Sequence, residues 1–465
     1  MTNLISENRH LALLHKYNTP VPRYTSYPTV PYWKSNLNET AWLQTLKKTT
    51  EAAQNGCGLS LYIHIPYCDS KCFFCGCNTV ITRHHDVEKP YIDAVIAEWK
   101  IIRKALGFKP LIREVHVGGG TPTYFAIASH QRLFEALRRE AVFSDEIEMS
   151  YESNPKNTTR EQLEGFFELG FRRLSFGIQD FDHEVQTIIN RIQPVEMVAE
   201  SMRLAREVGY ASINLDLVYG LPRQTQESVR KTILAVRDLR PDRIAFYAYG
   251  HNPQLYPEQN RFKNEHLPEG EEKEALYELG KMLLEEEFTG TRYNEIGMDH
   301  FALETDSLWH AAKAKKLHRN FMGYTTSSTA GVIALGASAI SDAWGAFIQN
   351  EKEPNRYMAQ IAEGKLPIIR GHLLNEEDLI LRRHIQNLMC HFETDWVEEA
   401  LQTPALDEIL TRLQALQVDG LVELLNKSVR VTKLGMPFIR YICREFDERY
   451  YYSINEKNNY CRLAK

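Results

Sequence analysis

The sequence predicts an α/β fold, a parallel sheet curved into a partial six-unit barrel with helices on its outer face. Three observations point there. Short apolar runs alternate with amphipathic helical stretches from Leu59 to Tyr247. Glycine-rich or polar segments follow the carboxyl end of each predicted strand, where parallel sheets and barrels place their sites. The chain has 465 residues, 43% of them hydrophobic and 25% charged, an ordinary globular composition with room for one large core and smaller units.

The elements follow in order. Residues 1–45 are irregular and rich in Pro and Tyr, notably Val21-Pro-Arg-Tyr-Thr-Ser-Tyr-Pro28, where two prolines fix an extended path. Its aromatics predict an arm that packs on the barrel rather than a solvated tail. Leu59 to Ile65 reads as the first strand, and Tyr91 to Leu106 as a helix with Pro90 at its start. Glu114 to Val117 is the second strand, ending in three glycines, and Gln131 to Glu140 is helical. Ile147 to Tyr151 is the third, followed by a helix from Arg160 to Leu169 that starts after Thr158 and Thr159 and stops at Gly170. Arg173 to Phe176 is the fourth, with a helix from Val195 to Val208 stopped by Gly209. Ser212 to Val218 is the fifth, with a helix from Glu227 to Leu239. Arg243 to Tyr247 is the sixth.

Residues 271–287 predict another helix, and 46–370 form the barrel unit. From Asn375 the pattern turns helical, over 376–392, 394–402 and 406–416, before a β-hairpin from Gly420 to Thr432 and a last helix. Residues 371–465 are therefore expected as a mostly helical C-terminal domain with a winged-helix-like hairpin.

The net charge of −6 excludes an extended phosphate-binding surface, so no nucleic-acid partner is expected. No run reaches the ~18 apolar residues of a membrane helix, and the start, MTNLISENRH, has no basic region leading into an apolar one. A cytoplasmic monomer is the expectation. Of eight cysteines, four crowd into Cys68-Asp-Ser-Lys-Cys72-Phe-Phe-Cys75-Gly-Cys77, while Cys57, Cys390, Cys443 and Cys461 are scattered. That pattern favours metal binding in a reducing compartment.

The cysteine loop follows the first strand, and Gly118-Gly-Gly-Thr-Pro122 the second. Glu152 follows the third, Gln179 the fourth, Asp216 ends the fifth, and Tyr249, Gly250 and His251 follow the sixth. Taken singly, a glycine run is a turn and an Asp in a strand a satisfied core residue. Their shared placement on one face makes a site. The spacing C-x3-C-x2-C can hold three corners of a cubic iron–sulfur cluster, leaving one iron open. Four thiolates could instead close a structural zinc site, though such sites usually combine two separated ligand pairs. Bacterial ferredoxin spacing, C-x2-C-x2-C, is absent.

Cys-x3-Cys-x2-Cys after a first strand and Gly-Gly-Gly-Thr-Pro after a second resemble the radical S-adenosylmethionine enzymes. Cys77, the arm Pro22-Arg-Tyr-Thr-Ser-Tyr-Pro-Thr29, Gly297-Met-Asp-His-Phe-Ala302 and the segment His318 to Thr326 are similar to the oxygen-independent coproporphyrinogen III oxidase (dehydrogenase) family. The resemblance spans about residues 14–450. It implies a partial (β/α)6 barrel of the radical S-adenosylmethionine type. It also implies conversion of two propionates of coproporphyrinogen III to vinyl groups in haem synthesis, giving protoporphyrinogen IX through a 5′-deoxyadenosyl radical.

By the same resemblance Cys68, Cys72 and Cys75 hold a [4Fe–4S] cluster. The contacts to S-adenosylmethionine fall on Tyr62, Phe74, Gly119, Gly120, Thr121, Glu152, Gln179, Arg191, Asp216, Gly250 and Ile340. Gln179, Arg191 and Asp216 belong to a second such molecule. Cys77 is a non-ligand neighbour with a catalytic part, and Arg23, Arg319 and Phe321 face the substrate. An electron donor and an acceptor are required. Gly250 stands where the resemblance has Ala, and Met322 where it has Gln. A haem-binding chaperone of the same superfamily is the rival reading. Such relatives carry Phe in place of Cys77 and lack the Arg-Tyr-Thr-Ser-Tyr-Pro arm. A radical methyltransferase that opens haem shares the cluster motif, and the His-Arg-Asn-Phe segment argues against it.

Overall fold

The computed structural model describes residues 12–455 except 18, 20 and 36. Cys461 and the expected arm residues 1–11 therefore lie outside the described part. Six parallel strands stand side by side in chain order: β1 (Leu59–Ile65), β2 (Leu111–Gly119), β3 (Val142–Ser153), β4 (Arg173–Gln179), β5 (Ser212–Tyr219) and β6 (Arg243–Ala248). Their apolar residues, such as Leu61, Ile63, Val115, Phe176 and Leu215, are buried beneath the helices in one large core. The alternate residues point into an open, polar lumen, as the period of two requires.

Each strand is followed by a helix. Thr159 and Thr225 start two of them with full capping boxes, and Gly107 and Gly209 end two others at φ +85° and +109°, where glycine carries no Cβ penalty. The sixth strand has its helix too: Gly270–Glu285, where one was expected over 271–287, packs on Gln226–Leu239 after a long loop. Six βα units are thus complete.

The sheet continues past both ends. Two strands, β7 (Tyr293–Gly297) and β8 (His300–Leu303), extend it antiparallel beside β6. On the other edge β9 (Val332–Leu335) pairs parallel with β1, and β10 (Ile340–Asp342), β11 (Ala346–Asn350) and β12 (Ile368–Leu373) follow antiparallel. The barrel is therefore open, with β7 and β12 as the outermost strands of the sheet among the described residues. Its lower lumen is filled by polar contacts: Glu114 accepts from the Ser60 and Thr325 hydroxyls at 2.5 Å each, and Glu148 accepts from Thr326 at 2.7 Å.

A second core joins Leu13, Tyr17, Val21, Tyr24 and Tyr27 to residues of the C-terminal part, among them Leu388, Leu413 and Ile442. The arm from Val21 to Tyr27 thus lies against the C-terminal helices. Beyond it, Trp33 stacks on Phe347 (5.1 Å) and Lys34 pairs with Gly371 on β12. Two expectations fail here. Residues 39–45 are already the start of a helix, Glu39–Ala53, capped by Asn38. The helix expected over 394–402 is instead a strand, Glu393–Asp395, and one turn at Glu399–Leu401. Its apolar spacing suits a helix, but Glu393–Asp395 is captured by the hairpin strand Ser428–Val431, which also pairs with Val422–Leu425.

Candidate active site

The cysteine loop is tied to the ends of β1 and β2. Gly120 and Thr121 donate backbone N–H bonds to the carbonyls of Ile65 (2.8 Å) and Tyr67 (3.0 Å). A short parallel pair, Tyr67–Cys68 with Val80–Ile81, closes the loop on itself. The glycines serve this union. A Cβ on Gly119, which sits at φ +124°, would stand 2.8 Å from the Ile65 carbonyl oxygen, and one on Gly120 would meet Pro66 and Tyr67 backbone at 2.9 Å. A Cβ on Gly118 would strike the Glu152 carboxylate at 2.8 Å. The run is therefore demanded by the protein's own close approach.

The thiols of Cys68, Cys72 and Cys75 are free and half-buried, and Cys77 is free and exposed. Thr121 Oγ1 lies 3.3 Å from Cys68 Sγ, Arg191 Nη1 donates to Cys72 Sγ at 3.3 Å, and Cys77 N–H points to Cys75 Sγ at 3.4 Å. Hydrogen bonding from Cys77, chiefly its side chain, holds the Cys75 thiol below its ordinary range against the opposing effect of burial. Among the described residues no three His, Cys, Asp or Glu side chains gather for a single metal ion. Three donor-supported thiols spaced C-x3-C-x2-C on one loop supply the thiolate set that a cubane with one open iron would take.

Inside the lumen, Glu152 on β3 accepts from Gly119 N–H at 3.0 Å, and His116 Nε2 stands 3.4 Å away. Its side chain is walled by protein yet 42% accessible through the open lumen. Burial alone raises its pKa, but the hydrogen bond and charge of His116 and the Gly119 N–H outweigh that and leave it below the ordinary value. Asp216 on β5 behaves oppositely. Burial, and then the Glu152 charge, push it up to about 6, although Ser175 (2.9 Å) and Asn214 (2.8 Å) donate to it.

Tyr62 stacks on His116 at 5.9 Å and donates to His64 Nδ1 at 3.0 Å, so His64 Nε2 carries the proton offered to Asn78 O at 3.1 Å. Arg191 reaches over Gly177, donating to its carbonyl and to Gln193, and it pairs with no carboxylate within 4 Å among the described residues. Gln179 sits at φ +73°, its amide nitrogen 2.8 Å from the position of a Gly177 Cβ. Phe74 joins an apolar patch with Val185, Ile189 and Tyr249.

Gly250 follows β6, and Ile340 begins β10, whose neighbours Ala334 and Ala339 pack with Tyr62 and Met322. Most of the expected residues thus line the lumen's mouth. Phe321 is set apart, its ring packed on Trp33 and Phe347. Residues the sequence reading passed over are His116, His64 and Gln259. Gln259 bridges the Phe74 and Gly250 carbonyls at 3.1 and 3.4 Å. His64 and His116 could have been found from strand alternation, His116 lying two residues before Gly118 and His64 four before Cys68; Gln259, in a loop, left no pattern.

Residues 62–236 match the Radical SAM superfamily. The chain is 39% identical over 444 residues to the oxygen-independent coproporphyrinogen III oxidase of Escherichia coli strain K12, covering 94% of each. It is 36% identical to that of Helicobacter pylori strain 26695, over 93% of this chain and 95% of the relative. Its fold matches the structure of the Escherichia coli coproporphyrinogen III oxidase, described as a radical SAM enzyme, with a TM-score of 0.85 and 37% identity over 92% of this chain and 97% of that one. With the cysteine loop, glycine run and acidic lumen in register on six βα units, the chain belongs to the oxygen-independent coproporphyrinogen III oxidase family of radical SAM enzymes.

Proposed function

We propose that this protein carries out the anaerobic oxidative decarboxylation of two propionate side chains of coproporphyrinogen III to vinyl groups, giving protoporphyrinogen IX. The observation that carries the proposal is the cysteine loop over the mouth of a polar lumen, with Thr121 and Arg191 touching two of its three thiols. When bound, the [4Fe–4S] cluster and S-adenosylmethionine supply a 5′-deoxyadenosyl radical able to take hydrogen from a propionate β-carbon.

The chain's own residues bind, orient and exclude water. Cys68, Cys72 and Cys75 would hold the cluster, and Cys77, exposed beside them, is left for a catalytic part near the substrate. Glu152, ionised at neutral pH, suits an ammonium group, and Arg191, without a carboxylate partner, suits a carboxylate. Gly119, Gly120 and Thr121 form the edge against which the amino-acid end would lie. Asp216, Gln179, Tyr62, Phe74, Gly250 and Ile340 complete the cofactor pocket, with room for a second S-adenosylmethionine. An alkyl radical attacks most C–H bonds, so the apolar wall of Phe74, Val185 and Tyr249 serves to keep the site dry and the target fixed.

The catalytic unit runs from the helix Glu39–Ala53 through β12 (Ile368–Leu373), with the preceding segment as an arm and the residues after β12 as the C-terminal domain. Loss of each CO2 also requires removal of one electron, so an external donor and acceptor are needed. The seven described cysteines are all free, in keeping with a reducing cytoplasm.

The test is anaerobic: reconstituted protein with S-adenosylmethionine, a reductant and coproporphyrinogen III should release CO2 and form the divinyl product. Stable haem binding without that product would instead support a haem chaperone.

A further inference from the structure

Four cations stand together at the carboxyl end of β6 without direct counter-charges among the described residues. Arg23, from the arm, brings its guanidinium 3.9 Å from where a Cβ on Gly250 would be. Lys273, on Gly270–Glu285, donates to the Tyr249 carbonyl at 2.7 Å. Arg319 lies over the Tyr324 ring at 4.6 Å, with its Nε and Nη1 buried and unpartnered. Tyr324 in turn meets His300 edge-on at 5.3 Å, beside β6. Arg440 comes from the C-terminal helix Ile439–Arg444, whose Ile439 and Ile442 pack in one core with Val21 and Tyr24 on either side of Arg23, and its charge is felt at Asp299 together with those of Arg23 and Arg319.

None of the four forms an ion pair within 4 Å among the described residues, and the Arg440 side chain makes no hydrogen bond there. Three enclosed arginines elsewhere are neutralised directly: Arg243 by Asp306 at 2.6 Å, Arg382 by Asp342 at 2.5 Å and Arg449 by Asp378 at 2.7 Å. Asp299, whose carbonyl accepts from Phe246 N–H on β6, is the carboxylate set among Arg23, Arg319 and Arg440. Glu269 and Glu274 face Lys273 from its own side, so Lys273 is the most compensated of the four. Grouped cations left unpaired in a partly dry site repel one another, and the arrangement is favourable once anions enter.

We propose that Arg440 and Lys273 join Arg23 and Arg319 in a clamp for the carboxylates of the tetrapyrrole substrate, so that the C-terminal domain supplies part of the substrate site. The clamp rests on the coproporphyrinogen reading of the same pocket. Its guanidiniums suit the carboxylates that are not reacting. A carboxylate held by a bidentate Arg is stabilised as an anion, and losing CO2 would forfeit that contact before the transition state is reached.

The test compares binding of coproporphyrin III and its tetramethyl ester to the reconstituted protein, by absorbance and fluorescence, with steady-state kinetics on coproporphyrinogen III. Arg440→Gln and Lys273→Met should each weaken binding of the acid roughly ten- to hundredfold, the worth of one charged hydrogen bond, while ester binding stays put. KM should rise more than kcat falls, and Arg440→Lys should recover part of the loss. Thermal melting and iron content matching the unsubstituted protein would show that folding is intact. If the unsubstituted protein binds and converts the substrate but both variants bind the acid as it does, the clamp is refuted. If the unsubstituted protein neither binds nor converts it, the functional reading beneath the clamp falls instead.

Discussion

Replacing Gly120 by alanine should loosen the cysteine loop by a predictable amount. The new Cβ would lie 2.9 Å from the Pro66 carbonyl carbon and oxygen and the Tyr67 carbonyl oxygen, against about 3.4 Å for ordinary contact, so backbone must retreat by roughly 0.5 Å. No flexible side chain is available to yield. Overpacking of this kind costs about 1–3 kcal/mol. At Gly119 the φ of +124° adds strain of about 1–3 kcal/mol to a similar clash, for a combined ~2–6 kcal/mol.

At Gly118 the obstacle is the end of the Glu152 side chain, which can swing away. The order of destabilisation should therefore be Gly119→Ala, then Gly120→Ala, then Gly118→Ala. The retreat in the Gly120 variant acts on Tyr67, directly before Cys68, so iron retained after anaerobic reconstitution should fall along with the melting temperature. Gly118→Ala should melt near the parent and lose affinity for S-adenosylmethionine, because Glu152 leaves the Gly119 N–H. Melting curves, iron analysis and equilibrium dialysis with S-adenosylmethionine measure all three. Parental melting and iron content in Gly120→Ala would refute the reasoning, as would Gly118→Ala proving the least stable.

Further outcomes follow from other contacts. Serine at Cys68, Cys72 or Cys75 should abolish the iron–sulfur absorbance, whereas Cys77→Ser should keep it and lose turnover. Tyr24→Phe removes the buried bond from the arm to Asp447 (3.0 Å) and should cost about 1.5–3 kcal/mol, seen as a lower melting temperature. Burial pushes the Asp447 carboxyl up to about 6, above the ~3.9 of an unfolded chain, so the folded state holds this proton more tightly. The stability it confers is full below about pH 4 and declines as pH rises through 6; Asp447→Asn should flatten that part of the melting-versus-pH curve.

Much of this was legible locally. Leu59–Ile65 and Val195–Val208 were readable to the residue, because a strand buried by its apolar run and a helix ended by Gly209 carry their own boundaries. The first half of Val142–Ser153 was not, since its Ser144, Asp145 and Glu146 have no apolar alternation and are carried in the strand only by the pairs on either side of them, Phe143 with Ile112 and Glu148 with Glu114 on β2. The segment 394–402 misled for the same reason, its partner lying more than thirty residues away. The site divides likewise. Cysteines and glycines announce themselves by spacing, but an isolated Arg440 in a short helix has no pattern to betray it.

The sequence by itself determined the six βα units, the cysteine loop and the alignment of polar residues at strand ends, because periodicity and turn chemistry act over a few residues. Only the tertiary structure decided the rest. It set Glu152 low and Asp216 high, since those depend on what faces each carboxylate across the lumen. It showed that the glycine run is required by β1 and Glu152. It also packed Leu13, Tyr17, Val21, Tyr24 and Tyr27 against the C-terminal helices and brought Arg23 and Arg440 to one place, from positions 417 residues apart in the chain. Charges so distant in sequence share a site only when the whole chain has folded.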